Sequence, residues 1–176
     1  MPLPISHSLI GASIIALFYP RTLIGRDWRI PLLGAFFATS PDFDFFLVWF
    51  LPQNWEWHRS LTHSIFFALA VTGLMFIGTG FSRIRIVLAC GTALLSHGLL
   101  DFLTTKLGGG VELLYPFSDE RLKLGIVGIS EFGQGFYFTE LIKSCLTEVV
   151  IFAPIFFAVL WIKRYLSEPS SLREDT

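Results

Sequence analysis

Net charge and cysteine are both scarce in this chain. The formal charge is -1 over 176 residues, so no basic surface points to a nucleic-acid partner. Only two cysteines occur, Cys90 and Cys145. They share no metal-type spacing and lie in apolar stretches, where they read as small packing residues. The opening run, Met1-Pro2-Leu3-Pro4-Ile5-Ser6-His7, lacks the basic segment of a cleavable signal peptide, which predicts that the first helix is retained. There is no nucleophile elbow, Walker loop, Cys-x-x-C pair or dinucleotide fingerprint, and no internal repeat.

Apolar residues, by contrast, make up 53% of the chain. A soluble domain of this length has too little interior to hide that much apolar surface. They also cluster, in stretches of about 20 residues, the length a helix needs to cross a ~30 Å hydrocarbon core. Four stretches read as spans: 30–51, 61–80, 86–105 and 141–162. A fifth, 5–19, is short for a crossing but still reads as a helix. Strands cannot satisfy their backbone in lipid without closing a barrel. The expected fold is therefore all-α: a polytopic membrane bundle of about five helices, one of them broken at Pro41. One domain is expected over 1–166, followed by a polar tail over 167–176 without chemistry. The 104–140 connection is long and glycine-rich, as suits a flexible or partly ordered loop over a site.

The basic residues suggest an orientation. Arg21, Arg26 and Arg29 fall between the first two stretches, Arg83 and Arg85 between the third and fourth, and Lys163 and Arg164 after the last. Five crossings put all three clusters on one side, which the positive-inside rule makes cytoplasmic. Arg59, Lys106, Arg121 and Lys123 would then lie outside, against the trend.

Polar chemistry concentrates in four places. His97 and Asp101 are four apart, hence on one helical face, where the pair can ligate a metal or the acid can orient the imidazole. Pro41 disfavours helical geometry at Ser40 and suits the start of a new half-helix, with Ser40 as its N-cap. Asp42 and Asp44 follow; at two residues apart they diverge by about 200° in a regular helix. One is expected as a ligand and the other as a supporting or bridging group. His58 and His63 straddle a loop-to-helix junction, and Arg59 between them can fork onto a phosphate or carboxylate, or anchor at the interface beside Trp55 and Trp57. His7 sits at the mouth of the first helix. Counted from the cytoplasmic ends, Asp42 and His97 both lie about 17–18 Å deep, so the site is expected in the outer half of the bilayer. Glu148 and Lys143, in the last stretch, are left as a loose pair or part of a path.

Imidazoles and carboxylates together suit zinc, with manganese or iron as alternatives, and can hold one ion or two. The order Ser6-His7, Pro41-Asp42-Phe43-Asp44, His58-Arg59-Ser60-Leu61-Thr62-His63-Ser64, Ser96-His97 to Asp101, then Tyr115-Pro116-Phe117, resembles the YdjM-like family. Those are small bacterial inner-membrane proteins described as LexA-regulated, membrane-bound, predicted metal-dependent hydrolases. The resemblance implies that His7, Asp42, Asp44, His58, His63, His97 and Asp101 bind metal. A more distant similarity is to the zinc-dependent phospholipase C and P1 nuclease type. This chain departs from it in having one His-x-x-x-Asp and no N-terminal tryptophan, which makes a three-zinc centre doubtful. The expected function is hydrolysis of an ester, a phosphoester before others, in a lipid or membrane-associated substrate through metal-activated water. Asp44, Arg59 and His63 are the expected catalytic groups. The rival readings are a metal-ion transporter or sensor, whose polar groups would line both halves of the bilayer, and a structural protein stapled by its metal.

Overall fold

A computed structural model describes residues 3–19, 27–51, 57–106, 109–126 and 138–167, apart from the side chain of Leu47. Its helices are α1 (Pro4–Phe18), α2 (Arg29–Thr39), α3 (Asp44–Phe50), α4 (Ile65–Thr79), α5 (Ile84–Thr104) and α6 (Phe138–Ser167). With α2 and α3 counted as the halves of one broken helix, these are five helices, and no strand occurs among the described residues. Three segments are long and apolar enough to cross a membrane: Arg29–Phe50, Phe81–Thr104 and Phe138–Leu166. The protein is thus an all-helical membrane bundle. Most of the expected tail, Arg21, Arg26 and Trp55 lie outside the described residues.

The break at Pro41 follows from one missing proton. Proline has no N–H, so Phe37 O loses its helical partner; the Ser40 hydroxyl donates to it instead at 2.9 Å. The backbone tightens into a 3-10 turn over Ser40–Phe43 and resumes as α3. This corrects the expectation for Ser40. Its φ of -61° and ψ of -30° are helical, and its hydroxyl reaches back rather than capping forward. A 3-10 turn lets the chain pass the proline ring without leaving helical space.

The junction before α4 also differs from the sequence reading. Leu61–His63 forms a separate 3-10 turn, and the chain extends at Ser64 (ψ 151°), whose hydroxyl accepts from Phe67 N. Ser64 is therefore the true N-cap. It leaves α4 with 15 residues, shorter than the crossing expected over 61–80.

Helix α1 packs against α2, α5 and α6, α2 packs against α5, and α4 lies against α5. The α1–α2 contact is very close. A Cβ on Gly11 would sit 2.2 Å from Gly34 O, and the reverse holds too. Such small residues let membrane helices touch backbone to backbone. At one end of the bundle Ile15, Ala89 and Cys90 form a buried cluster with Phe18, Tyr19, Ile30, Met75 and Ile86. Lys163 of α6 donates to Leu17 O and Tyr19 O there, at 2.7 and 2.6 Å, and takes up carbonyls that α1 leaves unbonded. At the opposite end Glu148 of α6 accepts from Leu3 N and, at 3.1 Å, from Ser6 N.

Residues 109–126 are more ordered than a flexible loop. Val111 and Leu122 form an antiparallel bridge. Glu112 N donates to Arg59 O, Ile65 N to Leu113 O, and Leu124 N to Phe102 O, at 3.0, 3.0 and 2.8 Å. The segment clasps the start of α4 and the end of α5.

Candidate metal centre

The alternating helix directions bring four chain segments to one end. His7 comes from the start of α1, Asp42 and Asp44 from the break after α2, and His58 and His63 from the turns before α4. His97 and Asp101 come from the end of α5. His7, His63, His97 and Asp101 are each at most 2% exposed. Backbone room is needed for this convergence: a Cβ on Gly98 would lie 2.1 Å from His63 O.

The outer nitrogens of three imidazoles are already engaged. His97 Nδ1 donates to Ala38 O at 2.6 Å, a carbonyl that the 3-10 turn leaves without its usual partner. His58 Nδ1 lies 2.8 Å from Asp44 Oδ1. The Thr62 hydroxyl donates to Asp44 Oδ2 at 2.9 Å, so its oxygen is left to accept from His63 Nδ1 at 3.0 Å. A neutral imidazole whose Nδ1 carries the proton has a bare lone pair on Nε2. Carboxylates, hydroxyls and carbonyls behind the ring are the usual means of fixing that tautomer for a metal.

Those bare nitrogens converge. His63 Nε2 and His97 Nε2 are 2.9 Å apart. Asp42 Oδ1 is 3.6 and 3.5 Å from them, and Asp101 Oδ2 is 3.6 and 3.9 Å away. His7 Nε2 is 3.4 Å from Asp101 Oδ1, and its ring stacks on His97 at 3.9 Å. Both His7 nitrogens, Asp42 Oδ1, His58 Nε2 and both Asp101 oxygens are buried without a hydrogen-bond partner. Buried lone pairs facing one another repel, and unpaired polar atoms in a membrane interior are costly. A divalent cation among them removes both penalties, so the donor set fits a metal. Three overlapping groups have ligand atoms within 4.8 Å of one another: His7, Asp42 and His97; Asp42, His58 and His63; His63, His97 and Asp101.

Asp44 belongs to none of these groups and instead holds His58 and Thr62. Arg59 is buried beside them with a φ of 68°. Two acids play parts that the sequence reading did not give them. Glu112 accepts from the Ser60 hydroxyl at 2.5 Å and Arg121 Nε at 3.1 Å; no spacing in the sequence marks it. Glu148 and Lys143 do not pair: Glu148 caps α1, and Lys143 bonds Glu140 at 2.8 Å. Two apolar grooves of about 460 and 520 Å³ flank α1, but no histidine or aspartate of the cluster lines either.

The sequence profile of the YdjM inner membrane protein family matches residues 1–169. The chain belongs to this family. It is also 35% identical over 148 residues to Inner membrane protein YbcI of Escherichia coli (strain K12), an alignment covering 77% of this chain and 85% of that protein. No solved structure gives a significant match. Membership of the YdjM family, with the long apolar helices, makes this an inner-membrane protein.

Proposed function

We propose that this YdjM-family protein is a membrane-bound, metal-dependent hydrolase that cleaves a phosphoester, or another ester, of a lipid or membrane-associated substrate. The observation that carries the reading is the meeting of His63 Nε2 and His97 Nε2 at 2.9 Å, flanked by Asp42 and Asp101. The mixed nitrogen and oxygen donors favour zinc, with manganese or iron as alternatives. Asp42, His63 and His97 each belong to two of the three donor groups, which supports a centre of one or two ions. When bound, such ions acidify a coordinated water and polarise a phosphoryl or acyl oxygen.

The chain's own residues supply the rest. His7, Asp42, His58, His63, His97 and Asp101 would hold the ions. Asp44 fixes His58 and Thr62, and is the nearby carboxylate able to receive the proton released as water attacks. The 109–126 clasp covers the end of α5 through bonds from Leu124 N to Phe102 O and from Ile126 N to Leu103 O. Arg29, Arg83, Arg85 and Lys163 lie at the opposite end of the bundle, which under the positive-inside rule supports an extracytoplasmic centre, against the trend of Arg59, Lys106, Arg121 and Lys123. A transporter needs polar groups along both halves; here the histidine and aspartate cluster sits at one end, which speaks for chemistry over transport.

The test is metal content by elemental mass spectrometry on detergent-purified wild type, His97→Ala and Asp101→Ala. The hydrolase reading expects one or two ions per chain in the wild type and loss in folded variants, then turnover on a panel of phospholipids and phosphoesters. No bound metal after growth with added zinc and manganese would overturn it. A metal whose removal unfolds the protein, without turnover on any ester, would make it a staple.

A further inference from the structure

Among the described residues, no acid forms an ion pair with Arg59. The residue is 9% exposed. Its Nε is buried without a hydrogen-bond partner. A guanidinium whose Nε is buried without a partner is best satisfied by an anion that its fork can hold.

The protein goes to some length to hold the residue there. Its φ of 68° is a conformation that side chains other than glycine rarely adopt, and strain of this sort collects where a ligand is bound. The conformation is held from the 109–126 clasp. Glu112 N donates to Arg59 O at 3.0 Å, and the Glu112 carboxylate grips the next residue through the Ser60 hydroxyl. That carboxylate is committed to Ser60 and to Arg121 Nε. Asp44, which bonds the neighbouring His58, is likewise taken up by His58 and Thr62.

We infer that Arg59 is an anion-recognition residue for a phosphate group. Glu112, which bonds the Arg59 carbonyl and the Ser60 hydroxyl, holds the turn that carries it next to His58. A guanidinium fork matches two phosphoryl oxygens at once. Phosphate is the anion that a bilayer offers, as the headgroup of a phospholipid; free phosphate has the same chemistry. This deepens the hydrolase reading, and rests on it for what becomes of the anion but not for its capture.

The experiment measures binding without turnover, in maltoside micelles that contain no phosphate. Metal-loaded and chelator-stripped protein are each titrated with inorganic phosphate and with phosphatidic acid. Retained lipid is read by native mass spectrometry, and the arginine Nε–H resonances by nitrogen-15 NMR. In wild type one Nε–H, absent from Arg59→Lys, should shift downfield and exchange slowly as the anion binds. Arg59→Gln and Arg59→Lys should bind about tenfold more weakly or worse, the scale of lost charge-assisted hydrogen bonds, while keeping their metal. Binding of phosphatidic acid identifies the source as a lipid headgroup, and binding of inorganic phosphate alone identifies it as the free ion. Should both variants bind like wild type, or no arginine Nε–H in wild type respond to either probe, the assignment is overturned. Protein that binds phosphate but neither metal nor ester would sink the hydrolase reading and leave this one standing.

Discussion

His63 and His97 meet nitrogen to nitrogen at 2.9 Å, each ring held from behind on its Nδ1 side by a different helix junction. Neither ring can swing away without giving up a hydrogen bond to Thr62 or to Ala38. Their approach is built into the bundle, and a cation entering between them would relieve it.

That relief should appear as stability. An ion that binds only the folded state contributes about 4 kcal/mol when its free concentration is ~1,000 times Kd. Chelator-stripped protein should therefore melt at a lower temperature and recover on titration with zinc. A melting temperature indifferent to both treatments would remove the argument from facing lone pairs.

Thr62 should matter more than a surface hydroxyl would. Thr62→Val cuts the link between Asp44 and His63, and loss of such outer partners typically costs 10- to 100-fold in metal affinity, on the order of what is expected here. Thr62→Ser keeps the hydroxyl and should bind close to wild type. Equal affinities for the valine and serine variants, from competition with a chromogenic chelator, would show that His63 is oriented by other means.

Gly98→Ala should be damaging for a reason confined to one atom. The new methyl would meet the backbone oxygen of His63 at 2.1 Å, which cannot rotate out of the way. Overpacking of this kind costs roughly 1–3 kcal/mol, and here it also pushes α5 away from the turn that carries His63. Gly73→Ala is the control, since nothing lies within 4 Å of a Cβ there; removing a helical glycine should stabilise by up to about 1 kcal/mol. Comparing melting temperature and metal content of the two variants separates the site effect from general helix effects.

Glu148→Ala should loosen α1 at its first turn. It leaves Leu3 N and Ser6 N without their acceptor, a loss of roughly 1–3 kcal/mol for buried donors. His7 follows directly on Ser6, so metal affinity should fall as well, with Glu148→Gln in between. Hydrogen exchange at residues 3–7 reads the loosening directly, and unchanged protection would refute it.

The helices and the gathering of the site at one end were legible because they depend on local runs of apolar residues and on strict alternation of direction. His97 and Asp101 were legible for the same kind of reason: four residues make one helical turn. Ser40 was misread because the rule for residues before proline describes the α-helix, while the chain here tightens into a 3-10 turn and passes the ring. Ile65 rather than Leu61 starts α4, because the cap at Ser64 outcompetes apolar continuity. Glu112 meets Ser60 across 52 positions and Glu148 meets Ser6 across 142, and no local pattern records contacts of that range. Hydropathy reads which segments enter the membrane, not which carboxylate closes on which backbone amide.

Glu148 and Lys163 hold α1 at its two ends, acid at the start and base at the finish, each suited to the helix dipole it meets. Both belong to α6, which supplies none of the converging histidines and aspartates. Because His7 directly follows Ser6, the amide that Glu148 takes up, one arm of the donor set is anchored by a helix outside it. A chain in which α6 has not docked can therefore gather most of the donors while the centre is still open on one side. Completion of the site is coupled to the seating of a helix that offers it no ligand.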